Sequence, residues 1–232
     1  MDRPSREVGS GLTGGAGGGA GGADGRTPGS RSPFDFDAPR RTDKDYYDGL
    51  VDAKRGAEYV TVSWNHFHDH WKTVLVGHTD NASPAPDRIT HHHNYFRNVN
   101  SRVPLVRYAD LHLLNNVMED VTGSATNARN GARVMIEGNH HTRVGGGNND
   151  PHANRVEGPV GWWYGSGGTG HRNPRDNTFV DTPHEHLSST TGRTPPYAYE
   201  VDSPGVARHR LLEYAGVGEV DVTPRPRDAA TP

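Results

Sequence analysis

Four short strand-like segments, each ending in asparagine, recur along the chain at intervals of 29, 22 and 23 residues. A period in the twenties, built from one short strand and a polar turn with no helical pattern between them, is typical of the stacked coils of a β-solenoid. Leucine-rich repeats have a similar period, but the chain lacks their LxxLxL signature and helical return. The segments are VTVSWN, ITHHHN, LHLLNN and VMIEGN, their asparagines are Asn65, Asn94, Asn116 and Asn139, and the aliphatic residues five positions earlier are Val60, Ile89, Leu111 and Val134.

These asparagines predict a hydrogen-bonded ladder. At the same bend of successive coils, stacked asparagine side chains can bond one another and the buried backbone. Asparagine also tolerates the left-handed conformation that such bends use. The alternative is that asparagine merely ends each strand, but four in register favour the ladder, and Asn177 resumes the pattern. We therefore predict an all-β fold, a β-solenoid, with structural asparagines.

Composition divides the chain of 232 residues into three parts. Residues 1–40 are rich in glycine, serine and proline, which predicts a disordered leader. Residues 41–222 bring alternating aromatic and β-branched residues and predict the folded domain, and residues 223–232 form a polar tail. Within the domain, PPYAYEVDSPGVARHRLLEYAG predicts a strand and then a short amphipathic helix with Val206, Leu211 and Leu212 inward.

Several classes of protein are disfavoured by composition. The net charge of -3 gives no basic footprint for nucleic acid, so we expect no such partner. The absence of cysteine excludes disulfides and thiolate metal sites. The N-terminus shows no apolar core of a signal peptide. No apolar run approaches the roughly 18 residues that span a bilayer, so we expect no membrane contact.

Five charged residues lie in three successive segments of the domain, DGLVD, HDHWKT and RVPLVR. Acidic groups can hold a cation, and cationic groups can bind a carboxylated substrate, so the set indicates chemistry on an anionic polymer. Each residue also has a plain interpretation: loop acids in water, a surface lysine beside Trp71, and arginines in ion pairs around Pro104. The five are Asp48, Asp52, Lys72, Arg102 and Arg107.

Clustered histidines raise the alternative of a zinc hydrolase. In HFHDH the histidines alternate, which predicts that His66, His68 and His70 share one strand face, and three such ligands could bind zinc. The chain has no HExxH motif, and rows of histidine in a solenoid are more often structural, so zinc is disfavoured. His70 is then a structural residue beside the lysine motif. Trp162 and Trp163 suit either a sugar-binding groove or, as we favour, loop packing.

The segments YYDGLVDAKRG, VTVSWNHFHDHWKTVLVGHTD, THHHNYF, SRVPLVR and LHLLNN together resemble the catalytic half of bacterial pectate lyases. The resemblance implies a right-handed parallel β-helix, secretion from the cell, and cleavage of polygalacturonate by calcium-dependent β-elimination. It assigns Ca²⁺ to Asp48 and Asp52 and the substrate carboxylates to Lys72 and Arg107. It makes Arg102 the catalytic base, where residue types alone would first suggest histidine.

The chain also departs from the family pattern, since the coils that normally precede DGxxD, with a further calcium-binding aspartate, are replaced by the glycine-rich leader. We therefore expect a truncated form with an uncovered β-helix end, a weakened calcium site and a tendency to aggregate, and a monomer where the β-helix is complete. A non-catalytic β-helix module that binds acidic polysaccharide is the alternative. A pectin lyase acting on methylated substrate without calcium is disfavoured, because Asp48, Asp52 and Lys72 are retained.

Overall fold

The computed structural model describes residues 6–8 (as backbone), 48–145, 159–161, 168–182, 184 and 194–217. Their strands form three parallel sheets, A, B and C. Sheet A contains β1 (Arg6–Val8), β3 (Glu58–Ser63), β6 (Asp87–His92), β9 (Asp110–Leu114), β12 (Arg133–Glu137) and β15 (His171–Arg175). Sheet B contains β2 (Val51–Ala53), β5 (Val74–Val76), β8 (Leu105–Arg107), β11 (Thr126–Arg129) and β14 (Val160–Gly161). Sheet C contains β4 (His66–Lys72), β7 (Tyr95–Ser101), β10 (Val117–Val121), β13 (His140–Val144) and β16 (Thr178–Val180).

From β2 onward the chain visits the sheets in the repeating order B, A, C, so each set of three strands is one coil. Each strand pairs in parallel with its counterpart in the next coil. The aliphatic residues of the repeat are Cα partners, Val60 with Ile89 and Leu111 with Val134. The predicted parallel β-helix is therefore confirmed.

The interior is a column of apolar side chains from successive coils. On sheet C, Phe67 is in register with Phe96, their rings stack at 4.9 Å, and both are fully buried. The same row continues through Met118 and His141 to Phe179. Where the strands alternate, every second residue contributes to this core, as Leu111 and Leu113 do on β9. In β7 the left-handed Asn98 (φ 52°) interrupts the alternation, so the core residues Phe96 and Val99 are three positions apart.

The asparagine ladder is present. The Asn65 side chain donates to Asn94 Oδ1 at 3.0 Å, and Asn94 donates to Asn116 Oδ1 at the same distance. The ladder continues from Asn116 to Asn139 and from Asn139 to Asn177, again at 3.0 Å. Each of these side-chain oxygens also accepts the backbone N–H of the preceding ladder asparagine.

One detail of the ladder differs from the prediction, because the left-handed residue at each bend is the one before the asparagine. The turn from sheet A to sheet C needs one left-handed residue to redirect the chain, and the asparagine after it can then point its amide along the stack. Side-chain bonding, rather than backbone tolerance, is therefore the role of the ladder asparagines. The left-handed residues are Trp64 (φ 58°), His93 (φ 50°), Asn115 (φ 50°), Gly138 (φ 64°) and Asp176 (φ 50°).

The strand β1 comes from the predicted leader. Its residues Arg6–Val8 pair in parallel with Val60, Thr61 and Val62 on the edge of sheet A. For these three residues the prediction of disorder over 1–40 does not hold. The predicted domain bounds, 41–222, stay a prediction, and Trp162, Trp163 and the tail at 223–232 lie outside the described residues.

The C-terminal stretch packs across the β-helix and ends in α1 (Pro204–Tyr214), which Ser203 caps. The predicted strand before the helix is absent from residues 194–203. Leu211 is buried as predicted, but Val206 and Leu212 are 44% and 48% exposed, so that part of the prediction is wrong. The helix buries Ala207 and Leu211 against the flank of sheet C and pairs Arg208 with Glu119 of β10 at 2.7 Å, and this strip is too narrow to cover the other two. Among the described residues, no helix has the length and apolarity to cross a membrane.

Two interior histidines predict acid-sensitive folding. Burial lowers the pKa of His91 to about 4 and that of His141 to about 3, with the Thr178 backbone opposing the second shift. Neither nitrogen of His141 has a hydrogen-bond partner of normal geometry among the described residues. Below about pH 6.5 the unfolded state takes up protons that the folded state refuses, so stability falls as the pH drops from 6.5 towards 4. Each histidine contributes about 3 kcal/mol to this loss.

Replacing His141 by phenylalanine tests the effect, because a phenyl ring can stack on Phe179 as the imidazole does, at 4.9 Å. In urea unfolding at pH 7 and pH 4.5, His141→Phe should lose less stability between the two than the unmodified chain, by about 2 to 3 kcal/mol. His141→Leu is a second variant, in case the larger phenyl ring clashes with its neighbours. An unchanged pH dependence in both variants would contradict the assignment.

Candidate functional site

The outward face of sheet B carries two of the five charged residues. On β2, Val51 and Ala53 pack towards the core, so Asp52 between them points outward. Asp52 is the Cα partner of Leu75, and Leu75 of Leu105, two coils away from Asp52. Arg107 follows Leu105 by two positions and shares its outward direction. Strands lie about 4.8 Å apart, so the rows that hold Asp52 and Arg107 are separated by two such steps.

Lys72 and Arg102 lie at the bend from sheet C to sheet B. Lys72 ends β4 and is the Cα partner of Ser101, which directly precedes Arg102. The Arg102 carbonyl accepts a hydrogen bond of 2.7 Å from the Val74 N–H. Arg102 is left-handed at φ 62°, and this bond fixes its backbone against the coil that carries Lys72. The register therefore brings the lysine and the arginine to the same corner on adjacent coils.

The loop with Asp48 lies beside this corner on the preceding coil. The N–H groups of Leu50 and Val51 both donate to the Thr73 carbonyl, at 2.9 and 3.2 Å. His70 Nε2 lies 2.6 Å from the Asp48 carbonyl, and since a carbonyl only accepts, Nε2 carries the proton. Burial lowers the pKa of His70, and the bond to Asp48 opposes the shift in part. His70 thus holds the loop against the end of β4 as a neutral donor.

The two oxygens of the Asp52 carboxylate have different surroundings. Its Oδ2 lies 2.5 Å from Lys54 Nζ, whereas Oδ1 is buried and accepts no hydrogen bond from the described residues. Glycine at position 49 keeps the space beside it open, because a Cβ there would lie 2.4 Å from Oδ1. A buried anionic oxygen without a donor suits a hard cation. Within the described ranges, no group of three or more histidine or acidic side chains could hold a metal by itself.

Arg107 is held from two sides at the end of β8. Its Nε donates to Asp80 Oδ1 at 3.1 Å, and its Nη1 donates to the Gly77 carbonyl at 3.2 Å. Arg129, one coil further, is the Cα partner of Arg107 and is buried. The sequence analysis missed Arg129, although its distance of 22 residues from Arg107 equals the ladder interval between Asn94 and Asn116. A search for charges at the ladder interval would have found it.

Comparison with known proteins agrees with this geometry. The sequence model of the family described as pectate lyase matches residues 30–220. The chain belongs to the pectate lyase family. It is 39% identical over 180 residues to a pectate trisaccharide-lyase of Bacillus licheniformis, covering 77% of this chain and 49% of that protein. It is 35% identical over 185 residues to a probable pectate lyase A of Aspergillus fumigatus, covering 78% and 52%.

Solved structures of pectate lyases share the fold. A pectate lyase from Bacillus sp. N165, in complex with trigalacturonate, superposes with a TM-score of 0.73 at 59% identity, covering 77% of this chain and 55% of that one. Pectate lyase C from Erwinia chrysanthemi, at pH 9.5 with 30 mM Ca²⁺, has a TM-score of 0.61 at 28% identity, covering 76% of this chain and 52% of that one. The chain spans about half the length of the curated relatives it matches.

The histidines of this pectate lyase family member do not form the predicted row. His66 and His68 point outward from β4, with their rings 4.7 Å apart, and His66 stacks on Tyr95. His70 instead shares its register row with Val99, a core residue. The left-handed Asp69 (φ 52°) reverses the alternation between His68 and His70, so the prediction that all three share one face is wrong.

Proposed function

We propose that this protein cleaves polygalacturonate by calcium-dependent β-elimination. The observation that carries the proposal is the register, which puts Lys72 and Arg102 at one corner on adjacent coils and Asp52 and Arg107 on the adjoining outward face. Membership of the pectate lyase family and the trigalacturonate complex of a relative support it.

The substrate repeats one carboxylate per sugar, so a row of cations along the β-helix axis suits it. Lys72 and Arg107 bind uronate carboxylates in this proposal, and the buried Arg129 adds positive charge to the row. Guanidinium groups suit this role because their planar fork matches the geometry of a carboxylate.

The chemical step removes the C5 proton, which lies α to the uronate carboxylate. Arg102 accepts this proton, the C5–H electron pair forms the C4–C5 double bond, and the C4–O bond breaks with its electrons on the leaving oxygen. Positive groups beside Arg102 favour its neutral form, because like charges disfavour the protonated one. Lys72 and Arg107 stabilise the negative charge that grows on the carboxylate. The product carries a 4,5-unsaturated sugar at its new end.

Calcium fits the acidic part of the site. Asp52, whose buried Oδ1 accepts no hydrogen bond from the described residues, and Asp48, four positions earlier, would hold the ion, and the substrate carboxylate would complete its shell of oxygens. When bound, Ca²⁺ supplies positive charge next to the carboxylate whose acidity must rise. We also propose that the protein acts outside the cell, where its polymeric substrate lies, and that it acts as a monomer.

The test measures the formation of unsaturated uronate from polygalacturonate in the presence of added Ca²⁺. Ultraviolet absorbance detects the product. A chelator in excess should abolish the signal, and Asp52→Asn should reduce it by at least about 100-fold, because removing a charge that binds a catalytic ion costs several kcal/mol. Asp120→Asn, on sheet C, is the matched acidic control and should retain full activity. Binding of polygalacturonate without product would favour the non-catalytic module instead.

A further inference from the structure

Asp80 lies in the connection between β5 and β6 and contacts the substrate-facing side of sheet B. Its Oδ1 accepts from Arg107 Nε at 3.1 Å and from Asn130 Nδ2 at 2.8 Å. Its backbone carbonyl accepts from the Tyr108 hydroxyl at 2.5 Å. One loop residue is therefore bonded to residues at the ends of β8 and β11, on two successive coils.

These contacts determine which nitrogen of the Arg107 guanidinium is available to bind a ligand. Asp80 occupies Nε and the Gly77 carbonyl occupies Nη1. Among the described residues, Nη2 has no bonded partner, so it is the guanidinium nitrogen left for a ligand. Arg107 is 14% exposed, whereas Asp80 is 58% exposed. The guanidinium is thus packed, and two of its three nitrogens are held by Asp80 and Gly77.

The Asp80 carboxylate affects an anionic substrate in two opposite ways. Its charge repels a uronate approaching Arg107, while its hydrogen bonds remove the rotamer freedom that a free arginine would lose on binding. The single oxygen Oδ1 accepts both of these side-chain hydrogen bonds. The useful part of Asp80 is therefore an acceptor, which an asparagine side chain could also provide.

We propose that Asp80 is a positioning residue, which fixes Arg107 with Nη2 directed to the uronate carboxylate. The proposal rests on the proposed pectate-cleaving function. Arg107 binds the carboxylate before and during the reaction in this proposal, so its misplacement should raise KM more than it lowers kcat.

Two substitutions separate the acceptor from the charge. Asp80→Ala removes both and should raise KM for polygalacturonate about tenfold with kcat changed less than about threefold. Asp80→Asn keeps an oxygen at Oδ1 and removes the repulsion, so its KM should stay within about twofold of the unmodified chain or fall below it. Asp120→Ala is the matched control, because it breaks another exposed Asp–Arg pair, with Arg143, on sheet C. Its KM should not change.

A second measurement reports on Arg107 without catalysis. The Nε–Hε resonance of Arg107, assigned by its loss in Arg107→Lys, should exchange slowly with water in the unmodified chain and in Asp80→Asn, and rapidly in Asp80→Ala. A lower KM in both Asp80 variants would show that Asp80 competes with the substrate for Arg107. An equal rise in KM in both variants would show that only the charge of Asp80 matters. Either result would overturn the proposal. If the unmodified chain makes no unsaturated product, the proposed function fails, but the Nε–Hε exchange still tests Asp80.

Discussion

Replacing Arg102 by lysine is expected to lower kcat on polygalacturonate by about 1,000-fold while KM changes little. A positioned general base contributes roughly 10²- to 10⁴-fold, and this contribution depends on the place of the basic nitrogen. Arg102 is fixed by its left-handed backbone and by the bond from Val74 N–H to its carbonyl, neither of which lysine alters. Lysine keeps the positive charge at the corner but ends in a different position. Steady-state formation of unsaturated uronate measures both constants.

Arg133→Lys is the matched control for Arg102→Lys, because Arg133 pairs with Asp110 on sheet A, away from the site. It should retain the kcat of the unmodified chain. If Arg102→Lys kept more than about a tenth of kcat, Arg102 would serve only as a charge, and another base would be needed. A rise in KM with unchanged kcat would instead make Arg102 a substrate-binding residue.

The fold was accessible from sequence because a β-helix repeats its own local rules. The ladder asparagines recur at coil intervals, and the aliphatic residue five positions earlier is in register with its neighbours. The charged residues were identified because five sequence motifs occur in the same order as in the family. The register between coils explains why motifs that are distant in the sequence lie close together in the fold. Lys72 and Arg102 are 30 positions apart in the chain but belong to adjacent coils.

The remaining features depend on contacts that no local pattern contains. His70 left its expected face because one left-handed residue, Asp69, reversed the alternation. Asp80 resembles any loop acid in the sequence, and only the folded loop brings it to Arg107. Val206 and Leu212 fit the pattern of an amphipathic helix, yet both are exposed. The width of the flank of sheet C determines how much of the helix surface is buried, and the helix sequence does not contain that information.

Replacing Asn116 by alanine is expected to reduce the free energy of unfolding by about 4 kcal/mol or more. Its amide donates to the carbonyls of His91 and Leu114 and to Asn139 Oδ1, at 2.9 to 3.0 Å. Its Oδ1 accepts both the backbone and the side-chain N–H of Asn94 at 3.0 Å. All these groups are buried, and each buried group left without a partner costs about 1 to 3 kcal/mol. Domains of this size are stable by only about 5 to 15 kcal/mol, so the variant should lose at least about a quarter of its stability.

Urea unfolding followed by circular dichroism measures the loss, and resistance to protease detects a variant that no longer folds. Asn98→Ala, within β7, is the control, because the one hydrogen bond described for the Asn98 side chain goes to Asp69 in β4. About 1 to 2 kcal/mol should be lost, which includes the strain of alanine at the left-handed backbone of position 98 (φ 52°). A loss below about 1 kcal/mol for Asn116→Ala would mean that water replaces the amide. The ladder would then mark the bends without stabilising them. A large loss for Asn116 beside a smaller one for Asn98 is the result expected if the stacked amides bind the coils together, because both residues are asparagines of the same β-helix and only Asn116 belongs to the ladder.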